Sequence, residues 1–174
     1  PTTKYGADIS FEGSSIYLGF QANASSAIHE MVSVAFGLRY VSAKNTYTGG
    51  IENVAVNPYF PAYGLTGQMI PAGQLFMMLG QPAYAALVAN KAVDVEQNGS
   101  GITPVFSVMV TPIEGLILSA RYEMNTKLEL TNKTTKDDTK GVFSADGLFP
   151  DGAKTHADIP GTLALGASYA VMTN

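Results

Sequence analysis

The stretch Leu116–Leu130, LILSARYEMNTKLEL, decides the fold. Leu116, Leu118, Ala120, Tyr122, Met124, Leu128 and Leu130 occupy even positions together with Thr126, while Ser119, Arg121, Glu123, Asn125, Lys127 and Glu129 hold odd ones. Side chains of a strand alternate between faces, so one face is apolar and the other takes every charge; a helical period would scatter both sets. The same alternation places Ile16, Leu18, Phe20 and Ala22 opposite Tyr17, Gly19, Gln21 and Asn23, and Val32, Val34, Phe36, Leu38 and Tyr40 opposite Ser33, Ala35, Gly37 and Arg39. It recurs over Thr162–Val171, where Leu163, Leu165, Ala167, Tyr169 and Val171 share a face, and more briefly over Val105–Thr111. Five strands with one pattern predict an all-β, antiparallel fold.

Composition narrows the class. Of 174 residues, 46% are hydrophobic and 14% charged, against roughly 25% charged in average soluble domains. Apolar content this high excludes disorder. The absence of cysteine excludes a disulfide framework, a thiolate metal site and a cysteine nucleophile. A net charge of -4 with ten Lys and Arg lacks the basic footprint of a nucleic-acid binder. Residues 1–25 hold no basic start followed by an apolar stretch, so no signal peptide is expected. The uncharged run Asn53–Asn90 is interrupted by Pro58, Pro61, Pro71 and Pro82 and by Gly64, Gly67, Gly73 and Gly80, too often for the roughly 20 apolar residues of a spanning helix. Membrane strands need only about 9–11 residues each and remain open. So does a soluble antiparallel sheet with one wet face, which alternates in the same way.

Connection lengths favour the membrane reading. Short links, Ala24–Glu30 and Pro112–Gly115, alternate with long ones running from about Lys44 to Gly101 and from Thr131 to Ile159. Long structureless loops are uncommon in compact soluble domains, whereas outer-membrane barrels join strands by short turns on one side and long loops on the other. The chain therefore reads as one segment, 1–174, of an antiparallel transmembrane β-barrel with about five to six strands. A long extracellular loop is expected over 49–100 and a second over 131–157. Tyr122 and Tyr169 on the apolar face suit an interfacial girdle. Within the first loop, Pro71–Leu79 and Pro82–Lys91 each open on proline, which suits a first helical turn, and Gly80-Gln81 separates them, predicting a short helical hairpin. Leu75, Phe76, Met77, Met78 and Leu79 are too apolar to be left in water. Packing is the first reading of such a cluster, ligand contact the second.

Signals for catalysis and metals are missing. His29 and His156 lack zinc-site partners, and Lys133–Lys140 with Asp146 and Asp151 lacks calcium-loop spacing. Neither a nucleophile elbow nor a phosphate-cradling glycine loop is present. No enzyme, cofactor or metal is expected. Arg121, Glu123, Lys127 and Glu129 alternate in sign along one polar face, which in a barrel reads as an interior charge ladder.

Taken in order, the strand ending FGLRYVSAKNTY, the apolar helix-bearing loop, the hairpin ILSARYEMNTKLEL and the segment ADIPGTLALGASYAV resemble the FadL/TodX family, outer-membrane transporters for long-chain fatty acids and other hydrophobic compounds. Asp158-Ile159-Pro160 before an alternating strand with Gly166 and Tyr169, and Ala120-Arg121-Tyr122-Glu123 through Lys127, carry the resemblance. It implies a larger barrel with an N-terminal hatch and a sideways exit at a kinked strand. The chain shows neither of these and ends at Met172-Thr173-Asn174 without a terminal aromatic strand, so it looks like the middle of such a barrel. By position, the resemblance gives ligand capture to Phe60, Leu65, Met69, Leu75, Phe76, Met78 and Leu79, with help from the Thr131–His156 loop. It places Lys44 near a fatty-acid carboxylate. The implied partners are hydrophobic small molecules or fatty acids and outer-membrane lipid, with no nucleic acid, in the cell outer membrane of a Gram-negative bacterium. Transport would be passive, a chain partitioning onto the groove at roughly 0.8 kcal/mol per buried methylene. Two other readings stand beside it: a soluble lipid-binding β-protein with apolar faces turned inward, and a structural barrel or adhesin without transport.

Overall fold

The computed structural model describes residues 4–142 and 144–171; the chain end from Met172 to Asn174 lies outside the described residues. Five extended runs form an antiparallel meander. β1 (Tyr5–His29) and β2 (Val32–Val56) are joined by Glu30-Met31. The connection after β2 holds β3 (Tyr59–Phe60), a 3-10 turn (Pro61–Tyr63), β4 (Leu65–Thr66), β5 (Ile70–Pro71), α1 (Ala72–Met78) and α2 (Pro82–Leu87). β6 (Lys91–Ile113) then turns through Glu114-Gly115 into β7 (Leu116–Glu123) and β8 (Glu129–Asp137), and β9 (Lys154–His156) leads to β10 (Thr162–Tyr169). The sheet runs β1-β2-β6-β7-β10, with β8 also beside β6 and β9 beside β8. Among the described residues β1 and β10 end this order and are not paired with each other, so these strands do not close a barrel.

The alternating strands expected from sequence are present in the expected order, and three of the five, β1, β2 and β6, are longer than the alternation suggested. Residues 49–56 continue β2 and residues 91–100 begin β6, so the first long connection is 57–90 rather than 49–100. Likewise β8 runs to Asp137 and the second long connection is 138–153, narrower than 131–157. The short links shrink to two residues each; Gly115, at φ +80°, takes the left-handed position of its turn. β10 stops at Tyr169, short of Val171.

The main correction concerns Leu116–Leu130, which is not one uninterrupted strand. Pairing with β6 sets Glu123 opposite Val105, and the Thr126 hydroxyl meets that of Thr103. Three steps along this strand therefore match two along β6. The extra residue falls at Met124-Asn125, opposite Pro104, whose carbonyl accepts the Met124 N–H at 3.1 Å. This is a β-bulge, and it exchanges the two faces. Before it Leu118 and Tyr122 are exposed; after it Leu128 is 0% and Leu130 2% exposed, and both pack with Ala43 and Ala157. The proposed charge ladder is broken by the same residue: Arg121 and Glu123 lie before the bulge, while Glu129, after it, pairs with Lys154 at 2.8 Å on an exposed face. Pro104 has no N–H to give a ladder, and a bulge is where a central strand tolerates that loss.

The neighbouring run follows. Thr126 and Ile159 exchange backbone hydrogen bonds at 2.9 and 3.0 Å, and Asp158 Oδ1 accepts the Leu128 N–H at 2.9 Å. The Asp158-Ile159-Pro160 segment is thus the partner of the bulge. Backbones approach closely here. A Cβ on Gly101 would lie 2.5 Å from the Lys127 carbonyl oxygen, and one on Gly161 2.9 Å from that of Glu123.

The chain divides into two compact units, Pro1–Ser14 with Asn45–Glu96 and Asn132–Ala153, and Ser15–Lys44 with Gln97–Thr131 and Lys154–Asn174. Both long connections belong to the first unit and both two-residue turns to the second. In the second unit the even positions of β2, Val34, Phe36, Leu38 and Tyr40, are exposed together with Phe106, Val108, Leu118 and Tyr122, and across β7 with Leu163 and Leu165 of β10. Phe36 and Phe106 touch at 5.4 Å between ring centroids. Further along β2 the odd positions Val41 and Ala43 are buried. In the first unit, Phe11, Tyr47 and Phe149 form a stacked row with centroids 6.3 and 6.1 Å apart. Asp137 folds the second connection. Its carboxylate accepts from the Thr139 hydroxyl, from the Thr139 N–H at 2.9 Å and from the Phe149 N–H at 3.0 Å.

Two outcomes follow. Gly101→Ala should cost about 1–3 kcal/mol, read as a lower urea midpoint by circular dichroism. Gly73→Ala in α1, where the added carbon meets nothing closer than 3.8 Å, should be neutral or stabilise by up to about 1 kcal/mol. Equal costs at the two sites would contradict the close approach at the bulge. Burial alone would raise the Asp137 pKa, but the hydrogen bonds from Thr139 and Phe149 outweigh it and hold the carboxyl below its ordinary value. The stabilisation is therefore present above the unfolded pKa of about 3.9 and is lost as pH falls through the lower folded value. The Thr139 and Phe149 amide proton shifts should hold from neutral pH to about pH 4 and move only below it; Asp137→Asn should abolish that step.

Candidate functional site

The helical hairpin is built from local signals. Pro71 precedes α1, and Gly80 at φ +69° ends it: Gly80 N–H bonds Met77 O at 3.1 Å and Gln81 N–H bonds Phe76 O at 2.8 Å, the paired bonds of a Schellman C-cap. Pro82 supplies the first position of α2. Phe76 and Tyr84 hold the helices together at 5.6 Å between ring centroids, while Ala72 and Leu75 are buried. The helices are shorter than the expected Pro71–Leu79 and Pro82–Lys91, since Leu79 and Val88 act as C-caps. The Lys91 ammonium closes α2 from outside by donating to the Ala86 carbonyl at 2.9 Å.

β5 returns the loop to the end of β2, pairing Pro71 with Ala55 and Ile70 with Val56. A cleft of about 360 Å³ lies there in the first unit, lined by Val54 and Ala55 of β2, Met69, Ile70, Pro71 and Gly73 before and in α1, Ala85 of α2, and Val88 and Ala89 after it. Asn53 and Asn90 supply its polar residues. Asn53 sits in the left-handed region at φ +53°, a conformation costing most side chains about 1–2 kcal/mol and tolerated best by Gly, Asn and Asp. It is pinned there on two sides: its N–H donates to Asn90 Oδ1 at 3.1 Å and its Nδ2 to Asp8 Oδ2 at 2.8 Å. The cleft can hold an apolar chain or ring with one polar end; it offers no nucleophile.

The residues singled out from sequence divide among several environments. Met69 lines the cleft. Leu65 and Leu75 are buried, and Phe76 packs on Tyr84. Phe60, Met78 and Leu79 are exposed and do not line this cleft. Lys44 belongs to the other unit and is exposed between buried Ala43 and Asn45, so its position in the alternation is opposite to theirs. Sequence reading passed over Asn53, Asn90 and the small residues Ala55, Ala85 and Ala89. The only local signal was an asparagine, a residue that accepts positive φ, inside an alternating run.

A second polar constellation lies in the second unit. Glu123 binds Arg39 through both oxygens, with Nη1 to Oε2 at 2.7 Å and Nη2 to Oε1 at 2.9 Å, and Arg121 Nη2 at 2.6 Å. Gln21 Oε1 accepts from Arg39 Nε at 3.0 Å and Nη2 at 2.8 Å. This cluster ties β1, β2 and β7 together on the face opposite the exposed apolar rows. Arg121 Nε is buried with no protein partner. Among the described residues no group of three or more His, Asp or Glu is arranged to hold a metal ion. Among the described residues no helix is long and apolar enough to cross a membrane, which says nothing about strands. No protein-family model matches the chain, and no curated protein matches it.

Proposed function

We propose that the chain is part of an outer-membrane β-barrel of the FadL/TodX type, through which hydrophobic compounds such as long-chain fatty acids or aromatic hydrocarbons diffuse, with first capture in the cleft beside the helical hairpin. The observation that carries this reading is the bare apolar surface of the second unit. Phe36, Leu38, Phe106, Leu118, Leu163 and Leu165 are exposed, Leu165 at 76%, while charge gathers on the opposite face of the sheet around Glu123. Burying each such side chain is worth roughly 1.5–3 kcal/mol, so six left in water forgo on the order of 10 kcal/mol, as much as a whole domain's stability. Lipid removes that penalty without any protein cover.

Length agrees. The even apolar run of β2 spans Val32–Tyr40, half-buried at Val32 and exposed from Val34, and that of β6 spans Ile102–Val110, exposed at Ile102, Phe106 and Val108, near the roughly 9–11 residues that cross a bilayer. Beyond Tyr40 the pattern turns over: Val41 and Ala43 are buried, as expected of a sheet whose outer face meets water. Two-residue turns alternate along the chain with long connections, as in outer-membrane barrels. A soluble lipid-binding protein would need the apolar rows turned inward. Transport makes and breaks no bond. The apolar chain enters the cleft by partition, and the polar face that carries Gln21, Arg39, Arg121 and Glu123 faces the passage. Lys44, opposite in alternation to its buried neighbours, has no part in this version.

Single spin labels on the full-length protein in bilayers test the membrane step. A label at Leu118 should be accessible to oxygen from lipid, one at Ser119 shielded from it, and one at Lys127, past the bulge, open to a water-soluble relaxant. A water signal at Leu118 with a lipid signal at Ser119 would sink the reading. Cells carrying the full-length protein should take up hexadecane or oleate faster than cells without it, and Ala85→Trp, which fills the cleft, should reduce the rate several-fold. Correct labels with no uptake would point to a structural barrel or adhesin.

A further inference from the structure

We infer that the cleft beside the helical hairpin selects uncharged compounds, a hydrocarbon chain or ring ending in a hydroxyl, amide or ester, over the corresponding carboxylates. The inference rests on the capture reading above and narrows its cargo. None of the residues lining the cleft carries a charge. Its apolar walls, Val54, Ala55, Ile70, Ala85 and Val88, leave Asn53 and Asn90 as the side chains that can meet a head group. A primary amide both donates and accepts hydrogen bonds, which suits a neutral head group with the same two capacities.

A carboxylate gains much less there. Moving an ion out of water is costly unless a counter-charge or several donors receive it. The nearest cation by chain position, Lys91, has its ammonium on the Ala86 carbonyl, closing α2. The charge at the polar end is instead negative: Asp8 holds the Asn53 amide nitrogen at 2.8 Å. A bound carboxylate at Asn53 would be separated from the Asp8 carboxylate by a single amide group, and like charges so close repel even at this exposed end of the cleft, most strongly at low salt. Swinging Asn53 away to relieve this would break the hydrogen bonds from its N–H to Asn90 and from its side chain to Asp8. The left-handed backbone at Asn53 is thereby converted into a fixed polar end with a negative charge behind it.

Octanamide and octanoate, which have nearly the same shape, separate charge from fit. The full-length protein in lipid nanodiscs, labelled at methionine methyl carbons, reports on the cleft through Met69, whose resonance is identified by its loss in Met69→Leu. Octanamide should shift that resonance saturably at a concentration several-fold below that needed for octanoate at neutral pH and low salt. Asp8→Asn should bring octanoate toward octanamide. Octanoate binding as tightly as octanamide to the wild-type protein would overturn the selectivity and leave capture intact. If neither probe moved the Met69 resonance, capture at this cleft would itself be overturned. A gap unchanged in Asp8→Asn would refute the part given to Asp8.

Discussion

A strand alternates its side chains with a period of two, so it can move its apolar residues from one face to the other in only two ways. Either the sequence changes parity, or the backbone inserts a residue. Both devices operate in this sheet. In β1 the apolar residues are odd from Tyr5 to Phe11 and even from Ile16 to Ala22; in β2 they are even to Tyr40 and odd from Val41; in β6 they are odd at Val93 and Val95 and even from Ile102. The run from Leu116 to Leu130 keeps even parity throughout and inverts its faces with the bulge at Met124-Asn125. The last run does the same: Ala157 packs in the core, whereas Leu163 and Leu165 lie exposed across from Tyr122 and Ala120. Three runs change parity in sequence and two change face through the backbone.

Several otherwise odd residues follow from that requirement. Pro104 would be a poor choice in the middle of a central strand if every position needed a ladder hydrogen bond, and it lies opposite the extra residue, where one is already missing. Gly101 and Gly161 leave room for backbone that a side chain would push away. Asp158 supplies a side-chain oxygen to the Leu128 N–H, fixing the strand just past the bulge. Glu123, the last β7 residue before the irregularity, binds two arginines, Arg39 and Arg121, and holds β2 and β7 together where regular pairing stops.

This arrangement explains how much could be read from the chain alone. Strand existence, order and alternation were legible because the period of two is strongly written in Val32–Tyr40 and Leu116–Tyr122. Strand ends were not. The rule that apolar residues stay even fails beyond Tyr40 and before Ile102, so the ordered strand at 49–56 and 91–100 was assigned to loop. The bulge was invisible for the opposite reason: the sequence of Leu116–Leu130 alternates without a break, and only pairing with β6 reveals the inserted residue. The helical hairpin was legible because proline and glycine punctuate it. The cleft was less so: Leu75 and Phe76 pack within the loop, the first reading of their cluster, and Leu65 is buried, so none of these three lines the cleft. Its lining comes from small residues such as Ala55 and Ala85, whose lack of bulk makes the space.

Packing within the loop and an open cleft are therefore complementary. An apolar hairpin at the end of a sheet would collapse onto β2 if its large side chains faced the strand. Phe76 is engaged by Tyr84 and Leu75 is buried, which leaves Gly73 and Ala85 facing Val54 and Ala55 with room between them. The pinned Asn53 closes that room at one end, because a residue at φ +53° bonded on both sides cannot relax into it. The bulky residues provide the rigidity and the small ones provide the site, so a substitution that enlarges Ala85 acts on ligand, and one that shrinks Phe76 acts on fold.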